Sequence, residues 1–330
     1  ITANDAFKPV TRYFDRITRP EQIIQSFPTA IQTMLDPADC GPACISLSQD
    51  IQGQTFEYPE EFFKEKIHVI RRPRPDDFQV KEAATVIKSS KNPIIISGGG
   101  VFYSDAMEEL SNFAIKHNIP VTQTVMGYST MKRDHSHYAG QIGALGGKNT
   151  NLIAKQTDLA IAIGTKLGDF TTGSWANFEN TNFKLVSINV SRFDANKHLA
   201  QAIVGDAKIS LKDLSIALGD WRAGEDWNKK SQIELAAWND HIDKESAPSN
   251  QEIPSYVQVI GAIYKNSDPS DIAVTAAGGL VGEVVQVWRP RELNTHETEW
   301  GFSCMSYEIS GALGIKMANP NKEVISFVGD

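Results

Sequence analysis

The sequence has few of the features that mark secreted, membrane or nucleic-acid-binding proteins. It contains only three cysteines in 330 residues, too few for a disulfide framework. No apolar run approaches the roughly 20 residues of a membrane-spanning helix. Lys and Arg number 32 against 40 Asp and Glu, and they are scattered; the densest basic cluster, "RRPRP" at 71–75, is interrupted by prolines. This acidic balance argues against nucleic-acid binding.

These absences favour a cytoplasmic protein that acts on small molecules. No signal-peptide pattern is visible, although the sequence begins at Ile1 rather than Met, and we therefore expect a partial chain. We interpret Cys40, Cys44 and Cys304 as reduced structural thiols. The length allows two or three domains, and the content of 41% hydrophobic and 22% charged residues is ordinary for a globular protein.

Short apolar runs alternate with helical patterns over residues 76–220. In "NPIIISGGG", three isoleucines lie between Pro93 and three glycines, which indicates a strand buried on both faces. The segment "SDAMEELSNFAIKHN" follows at helical spacing, and we predict Ser104 as its N-cap. The segments "LAIAIG", "FKLVSINV" and "AIVGDAKISLKDLSIAL" repeat the order. Strand–helix–strand order with apolar strands predicts an α/β fold with parallel-sheet domains.

The segments on either side of residues 76–220 are shorter. Residues 1–65 carry a helix and the strand candidate "ACISL", and residues 221–252 predict a helix and a linker. Residues 253–330 predict a helix, the strand "DIAVTAAGG", a glycine-containing helix and the strand "EVISFVGD".

Two strand ends in residues 253–330 suggest a binding site. Gly278 and Gly279 follow one predicted strand, and glycines there let backbone N–H groups approach a phosphate. Asp330 follows the other strand after a glycine and suits a hard cation such as Mg²⁺ beside substrate phosphates. Each feature is also typical of an ordinary turn or helix cap, and the residues alone leave both interpretations open.

Taken together, these stretches resemble the thiamine diphosphate-dependent enzymes of the acetolactate synthase and pyruvate decarboxylase group. In that family a Gly-Asp-Gly motif and a later Asn hold the Mg²⁺ that grips the cofactor's diphosphate, and "VGD" matches the first two positions. "GFSCMSYEISGALG" is similar to the stretch before the metal motif. The resemblance implies a Rossmann-like central domain at 76–220. It also implies the C-terminal part of a pyrimidine-binding domain at 1–65 and the N-terminal part of a diphosphate-binding domain at 253–330.

The resemblance also implies roles for individual residues. Gly278, Gly279 and Leu280 match positions that contact the diphosphate, and Asp330 matches the first metal ligand. Met305 matches the apolar residue that props the cofactor in its bent form, and its N–H would contact a ring nitrogen. The carbonyl of Ser303 would accept the aminopyrimidine amine.

Some residues of the family pattern differ or are absent. Ser306 and Glu308 stand where many relatives have glycine. The catalytic Glu of the family is expected before Ile1, so the catalytic residue is unknown within this chain, and we expect the 330 residues to be inactive alone. "SGGG" lacks the spacing of a dinucleotide-binding motif, as expected for a central domain without a nucleotide role.

The motifs "SLSQDIQGQTFEYPEEFF", "GTKLGDFTTGSW" and "EWGFSCMSYEISGALG" are similar to one branch of the family, the ring-cleaving hydrolases of inositol catabolism. The branch implies hydrolysis of a C–C bond in a polyhydroxylated cyclic diketone, with thiamine diphosphate and Mg²⁺ as cofactors, in a homodimer or homotetramer. His296 and Glu299 are candidate substrate contacts, and a surface-loop role is the alternative for both. A carboligase or decarboxylase of the same family and a non-catalytic α/β binding protein also stay open.

Overall fold

Strands and helices alternate along most of the chain. The computed structural model describes residues 2–329 and divides into two compact units, Ile1–Pro73 and Arg74–Asp330. The strands are β1 Tyr13–Ile17, β2 Ala43–Leu47, β3 Pro93–Ser97, β4 Val121–Gln123, β5 Tyr138–Gln141, β6 Leu159–Ile163, β7 Lys184–Asn189, β8 Gln201–Val204, β9 Ile272–Thr275, β10 His296–Thr298 and β11 Val324–Ser326.

The α-helices vary from single turns to almost six turns. They are α1 Ala3–Phe7, α2 Ile23–Met34, α3 Gln49–Gln52, α4 Asp77–Lys88, α5 Gly99–Tyr103, α6 Met107–His117, α7 Lys148–Gln156, α8 Asp169–Thr172, α9 Arg192–Ala195, α10 Ala207–Leu218, α11 Glu225–Glu245, α12 Tyr256–Asn266, α13 Leu280–Val287 and α14 Tyr307–Ala318. Among the described residues, none of these helices combines the length and the apolar character that crossing a bilayer requires.

The first unit contains a small βαβ arrangement. Strands β1 and β2 pair in parallel, with Tyr13 opposite Ala43, and α2 connects them because parallel neighbours need a crossover. Cys40 is exposed and Cys44 half-buried in this unit, and Cys304 of the second unit is also exposed. All three cysteines are free, in agreement with the prediction of reduced thiols, but the exposure of Cys40 and Cys304 gives these two no place in a packed core.

The second unit is built around a parallel sheet of six strands among the described residues, in the order β5-β4-β3-β6-β7-β8. Its middle strands are fully buried, and Ile94, Ile95 and Ile96 have no exposed surface. Helices cover both faces, since parallel strands are joined by crossovers that lie on the sheet. The predicted α/β class with parallel sheets is confirmed, whereas the exact domain boundaries stay predictions.

Backbone packing accounts for the glycines of "SGGG". A Cβ on Gly98 would lie 2.4 Å from the carbonyl oxygen of Gly164, and one on Gly100 would lie 2.6 Å from the Gly164 Cα. The segment after β3 therefore runs directly against the segment after β6. The close approach of these two segments explains the glycines without a bound nucleotide.

The predicted N-cap at Ser104 is wrong. The chain forms α5 first, and Ser104 is its buried C-cap. Asp105 then takes a left-handed conformation with φ 52°, and α6 begins after Ala106 without a side-chain cap. Ser104 is a helix-capping residue, as predicted, but it caps the end of α5 rather than the start of α6. The apolar periodicity did not indicate the extra helical turn that precedes it.

The segment predicted as helix and linker is mostly a long helix that packs on its neighbours. The indole N–H of Trp227, in α11, donates to the Pro93 carbonyl at 2.8 Å. At the other end of α11, Asp243 accepts from Arg289, which lies just after α13. Helix α11 therefore connects the six-stranded sheet to the part of the chain that follows it.

We predict that Gly98→Ala lowers the free energy of unfolding by about 1–3 kcal/mol, because the added methyl meets backbone that cannot move freely. The control is Gly314→Ala, where a Cβ has nothing within 4 Å and helix propensity favours alanine. Urea denaturation of both variants measures the difference. Equal stability of Gly98→Ala and wild type would contradict the packing explanation.

Candidate functional site

Three loops meet at one edge of the C-terminal sheet. This sheet has the order β10-β9-β11, and both outer strands run parallel to β9. The carboxyl ends of all three strands therefore lie at the same edge, which is where open α/β sheets bind ligands. The loops that leave this edge are 276–279, 299–306 and the segment that follows β11.

The loop 276–279 leads directly into helix α13. Gly278 has φ 83°, in the left-handed region that glycine adopts without strain, and Gly279 is the N-cap of α13. A Cβ on either glycine would have nothing within 4 Å, so open space lies beside this backbone. Unpaired N–H groups at a helix start attract anions, and this loop can therefore hold a phosphate.

Helix α13 is fixed in place by the central part of the same unit. Val281 and Val285 on its buried face form an apolar cluster with Val125 and Tyr128. The Tyr128 hydroxyl donates to the Val285 carbonyl at 2.7 Å, and burial raises the pKa of Tyr128 well above its usual value. The anion-attracting end of α13 is therefore supported by packing that begins at the end of β4.

The loop 299–306 presents apolar side chains to the outside. Phe302 is 93% exposed and Met305 is 71% exposed, so both apolar side chains are available to contact a ligand. Ser303 and Ser306 have φ values of 52° and 74°. Two left-handed non-glycine residues in four positions indicate backbone strain, and such strain is concentrated at functional sites.

Glu308, in the first turn of α14, contacts the loop after β9 and the end of β11. Its side chain is buried, and its Oε1 accepts from the Ala277 N–H at 3.4 Å. Its carbonyl accepts from the Ser326 hydroxyl at 2.8 Å, at the end of β11. The Oε2 atom is buried without a hydrogen-bond partner among the described residues. Such an acceptor suits a site that receives a donor or a cation.

A second contact joins the loop 299–306 to the six-stranded part of the unit. The rings of Trp300 and Phe170 pack edge to face at 5.0 Å between centroids, and Phe170 lies in α8. These residues belong to "EWGFSCM" and "LGDFTTGSW", two motifs on which the resemblance to one branch of the family rests. The structure thus brings two distant motifs into contact.

His296 and Glu297 line a cavity of about 300 Å³ beside β10, opposite Phe102 and Tyr103. The His296 ring packs edge to face on Tyr128 at 5.1 Å, and burial lowers its pKa to about 4. Burial also raises the pKa of Glu297. His296 is therefore a neutral, buried strand residue at pH 7, and the surface-loop alternative for it is wrong.

Two family models match the chain. The model of the thiamine pyrophosphate enzyme central domain matches residues 80–214, and that of the C-terminal TPP binding domain of these enzymes matches residues 276–330. Together they cover more than half of the chain. The chain belongs to the thiamine pyrophosphate enzymes. The matched C-terminal domain contains all three loops of the candidate site.

Curated relatives match the whole chain at moderate identity. Proteins named 3D-(3,5/4)-trihydroxycyclohexane-1,2-dione hydrolase from Clostridium botulinum, Bacillus licheniformis and Geobacillus thermodenitrificans are each 38% identical to it, over 100% of this chain and 55% of their own length. The chain therefore spans about half the length of the curated relatives it matches.

In this thiamine pyrophosphate enzyme, the structure brings together most of the predicted cofactor residues. Gly278, Gly279 and Leu280 form the start of α13, and Ser303 and Met305 lie in the neighbouring loop at the same sheet edge. Their roles stay predictions. Asp330, the predicted metal ligand, lies outside the described residues, and residues 2–329 contain no cluster of three or more His, Cys, Asp or Glu side chains suited to a metal.

The described residues fit thiamine diphosphate. The open space at Gly278 and Gly279 leaves room for a diphosphate at the start of α13. The exposed Met305 leaves an apolar surface for a ring. The unpartnered oxygen of Glu308 adds an acceptor beside the same loops.

Sequence reasoning missed three contributors to the site. Glu308 was noted only as a departure from glycine, and its contact with the Ala277 N–H depends on the packing of α14 over β9. The Phe170–Trp300 contact joins positions 130 residues apart. Strand β10 has only three residues, "HET", and no apolar run indicates it. The two motifs that contain Phe170 and Trp300 pointed to these residues in the sequence. Neither motif predicted that the two rings would be in contact.

We predict that Ser306→Gly stabilises the chain by about 1 kcal/mol, because glycine adopts the left-handed conformation at φ 74° without a Cβ penalty. The matched control is Ser310→Gly, inside α14, where glycine should cost roughly 0.5 kcal/mol. Thermal and urea denaturation show whether each substitution raises or lowers the free energy of unfolding. Destabilisation by Ser306→Gly would show that the serine side chain outweighs the strain.

We also predict that His296 makes the stability of the folded chain fall at acidic pH. Its folded-state pKa of about 4 lies below its unfolded value near 6.5, so the unfolded chain binds more protons between these pH values. Stability should therefore rise with pH from 4 to 6.5 and then level off with respect to this residue. The contribution lost at pH 5 is roughly 2 kcal/mol. Urea denaturation at pH 7 and at pH 5 measures this loss. We expect His296→Gln to lose less stability than wild type between the two pH values. An equal loss in both proteins would contradict a buried, neutral His296.

Proposed function

We propose that the full-length protein is a thiamine diphosphate-dependent hydrolase that acts on a C–C bond of a ketonic substrate. The substrate would be 3D-(3,5/4)-trihydroxycyclohexane-1,2-dione, and the product a 5-deoxy-glucuronate of inositol catabolism. The observation that carries the proposal is the match of the whole chain to curated hydrolases of that name at 38% identity, together with the convergence of the cofactor loops at one sheet edge.

The overall reaction adds water across one ring bond. The bond between the two carbonyl carbons breaks, the hydroxyl of water goes to the carbon that becomes the carboxylate, and hydrogen goes to the carbon that becomes the aldehyde. When bound, thiamine diphosphate supplies the carbanion chemistry that such a cleavage needs. The protein supplies position and charge.

Each loop has a role in this proposal. Backbone N–H groups at Gly279 and Leu280, at the start of α13, would bind the diphosphate. The Ser303 carbonyl and the Met305 N–H would orient the aminopyrimidine. The Met305 side chain, which is 71% exposed, would support the ring from one side.

Mg²⁺ is a further part of the proposal. Asp330 would be one of its ligands, by resemblance to the metal motif of the family and because Mg²⁺ is usually held by one or two carboxylates together with phosphate oxygens. The resemblance to the family does not assign the glutamate that activates the cofactor to any residue of this chain. We therefore propose that the 330 residues alone do not catalyse.

His296 is a candidate for substrate contact because it lines the cavity of about 300 Å³. Its low pKa makes it a neutral hydrogen-bonding group at pH 7, suited to substrate hydroxyls rather than to a negative charge.

The protein would act as a cytoplasmic homodimer or homotetramer, by resemblance to the family.

The test is an assay of the full-length protein with the cyclic diketone, with and without thiamine diphosphate and Mg²⁺. We expect diketone consumption that is lost on removal of either and restored on addition of both. Activity that persists without thiamine diphosphate would overturn the proposal. A substrate panel that shows carboligation or decarboxylation instead would assign the protein to another branch of the family.

A pair of methionine variants links that assay to the described site. Met305→Ala should weaken thiamine diphosphate binding by about ten-fold or more, the equivalent of roughly 1.4 kcal/mol. Met317→Ala is the control, since Met317 lies in the same region, at the end of α14, with a similar exposed fraction of 76%. Calorimetry of the full-length variants measures both affinities. Equal affinities would mean that Met305 does not support the cofactor.

A further inference from the structure

Glu299 lies at the point where β10 ends and the loop 299–306 begins. Its backbone N–H donates to the Thr275 carbonyl at 3.3 Å, which continues the pairing of β10 with β9 by one residue. The position of its Cα is therefore set by the sheet. From this anchored position the side chain extends along the loop that it precedes.

The carboxylate of Glu299 binds the backbone of that loop at two places. Oε1 accepts from the Phe302 N–H at 2.9 Å, and Oε2 accepts from the Cys304 N–H at 2.5 Å. These hydrogen bonds lower the pKa of Glu299, so the carboxylate is ionised at neutral pH. Charge-assisted hydrogen bonds of this kind are stronger than neutral ones.

The two bonds lie on either side of Ser303. That residue has φ 52°, a left-handed conformation that is unfavourable for a residue with a side chain. With the N–H groups of residues 302 and 304 both held, the orientation of the Ser303 peptide is constrained from both sides. The next N–H along the chain is that of Met305.

We propose that Glu299 is a positioning residue that holds the Ser303 carbonyl and the Met305 N–H in the orientation that binds the aminopyrimidine. This inference rests on the proposed function for the identity of the ligand. It is an alternative to a direct substrate contact by Glu299, and it accounts for the hydrogen bond that each carboxylate oxygen accepts from the loop backbone. The Trp300–Phe170 contact supports the same loop from the other side.

The first experiment uses the 330-residue chain and needs no cofactor. Hydrogen exchange followed by NMR reports the Phe302 and Cys304 amides in wild type and in Glu299→Ala. Because hydrogen bonds to a charged group are stronger than neutral ones, we expect exchange at both amides to become about ten-fold faster or more. The control is Glu323→Ala, which removes an exposed glutamate whose side chain pairs with Lys316 and which should leave both amides unchanged. Unchanged exchange in Glu299→Ala would overturn the proposal.

The second experiment uses the full-length protein and separates positioning from substrate contact. Glu299→Ala should raise the Kd of thiamine diphosphate by ten-fold or more, and Glu299→Gln, which keeps one carbonyl oxygen as acceptor, should raise it less. A higher KM for the diketone with an unchanged Kd for thiamine diphosphate would overturn positioning in favour of substrate contact. If wild-type protein fails to bind thiamine diphosphate, the proposed function and the aminopyrimidine role both fall, while the exchange result still decides whether Glu299 holds the loop.

Discussion

The parallel pairing of β10, β9 and β11 is the constraint on which the candidate site depends. Parallel ladders align the carboxyl ends of all three strands at one edge, and every loop with a predicted cofactor residue leaves from that edge. The loop residues themselves are strained or exposed and would not hold their positions alone. The site is therefore a product of backbone hydrogen bonding in a very short sheet, supported by what packs against it.

Support for that edge comes from carboxylates and aromatic rings as well as from the apolar clusters around α13 and β9. Glu308 joins α14 to the loop after β9, and Glu299 holds the loop 299–306 at two amides. The Trp300–Phe170 pair connects that loop to the six-stranded part. This combination leaves Met305 exposed and available, which a fully packed apolar core would not permit.

The apolar pattern predicted the fold well where strands are long and buried. The runs Pro93–Ser97 and Leu159–Ile163 form central strands because five consecutive apolar or small residues suit a strand that is buried on both faces. The same reasoning failed for β10, which is short and contains His296 and Glu297, and for Ser104, where an unexpected helical turn changed the role of a correctly recognised capping residue.

The sequence by itself determined the α/β class, the family and the positions of the glycines and of Met305, because these are recorded in local apolar runs and in contiguous motifs. Only the tertiary structure decided what the acidic residues of the site do. Glu299, a candidate substrate contact in the sequence, binds its own loop, and Glu308 is a buried link from α14 to the loop after β9 and to the end of β11. The physical reason is that a carboxylate takes its role from the donors that surround it, and those donors come from strands and helices brought together only by folding.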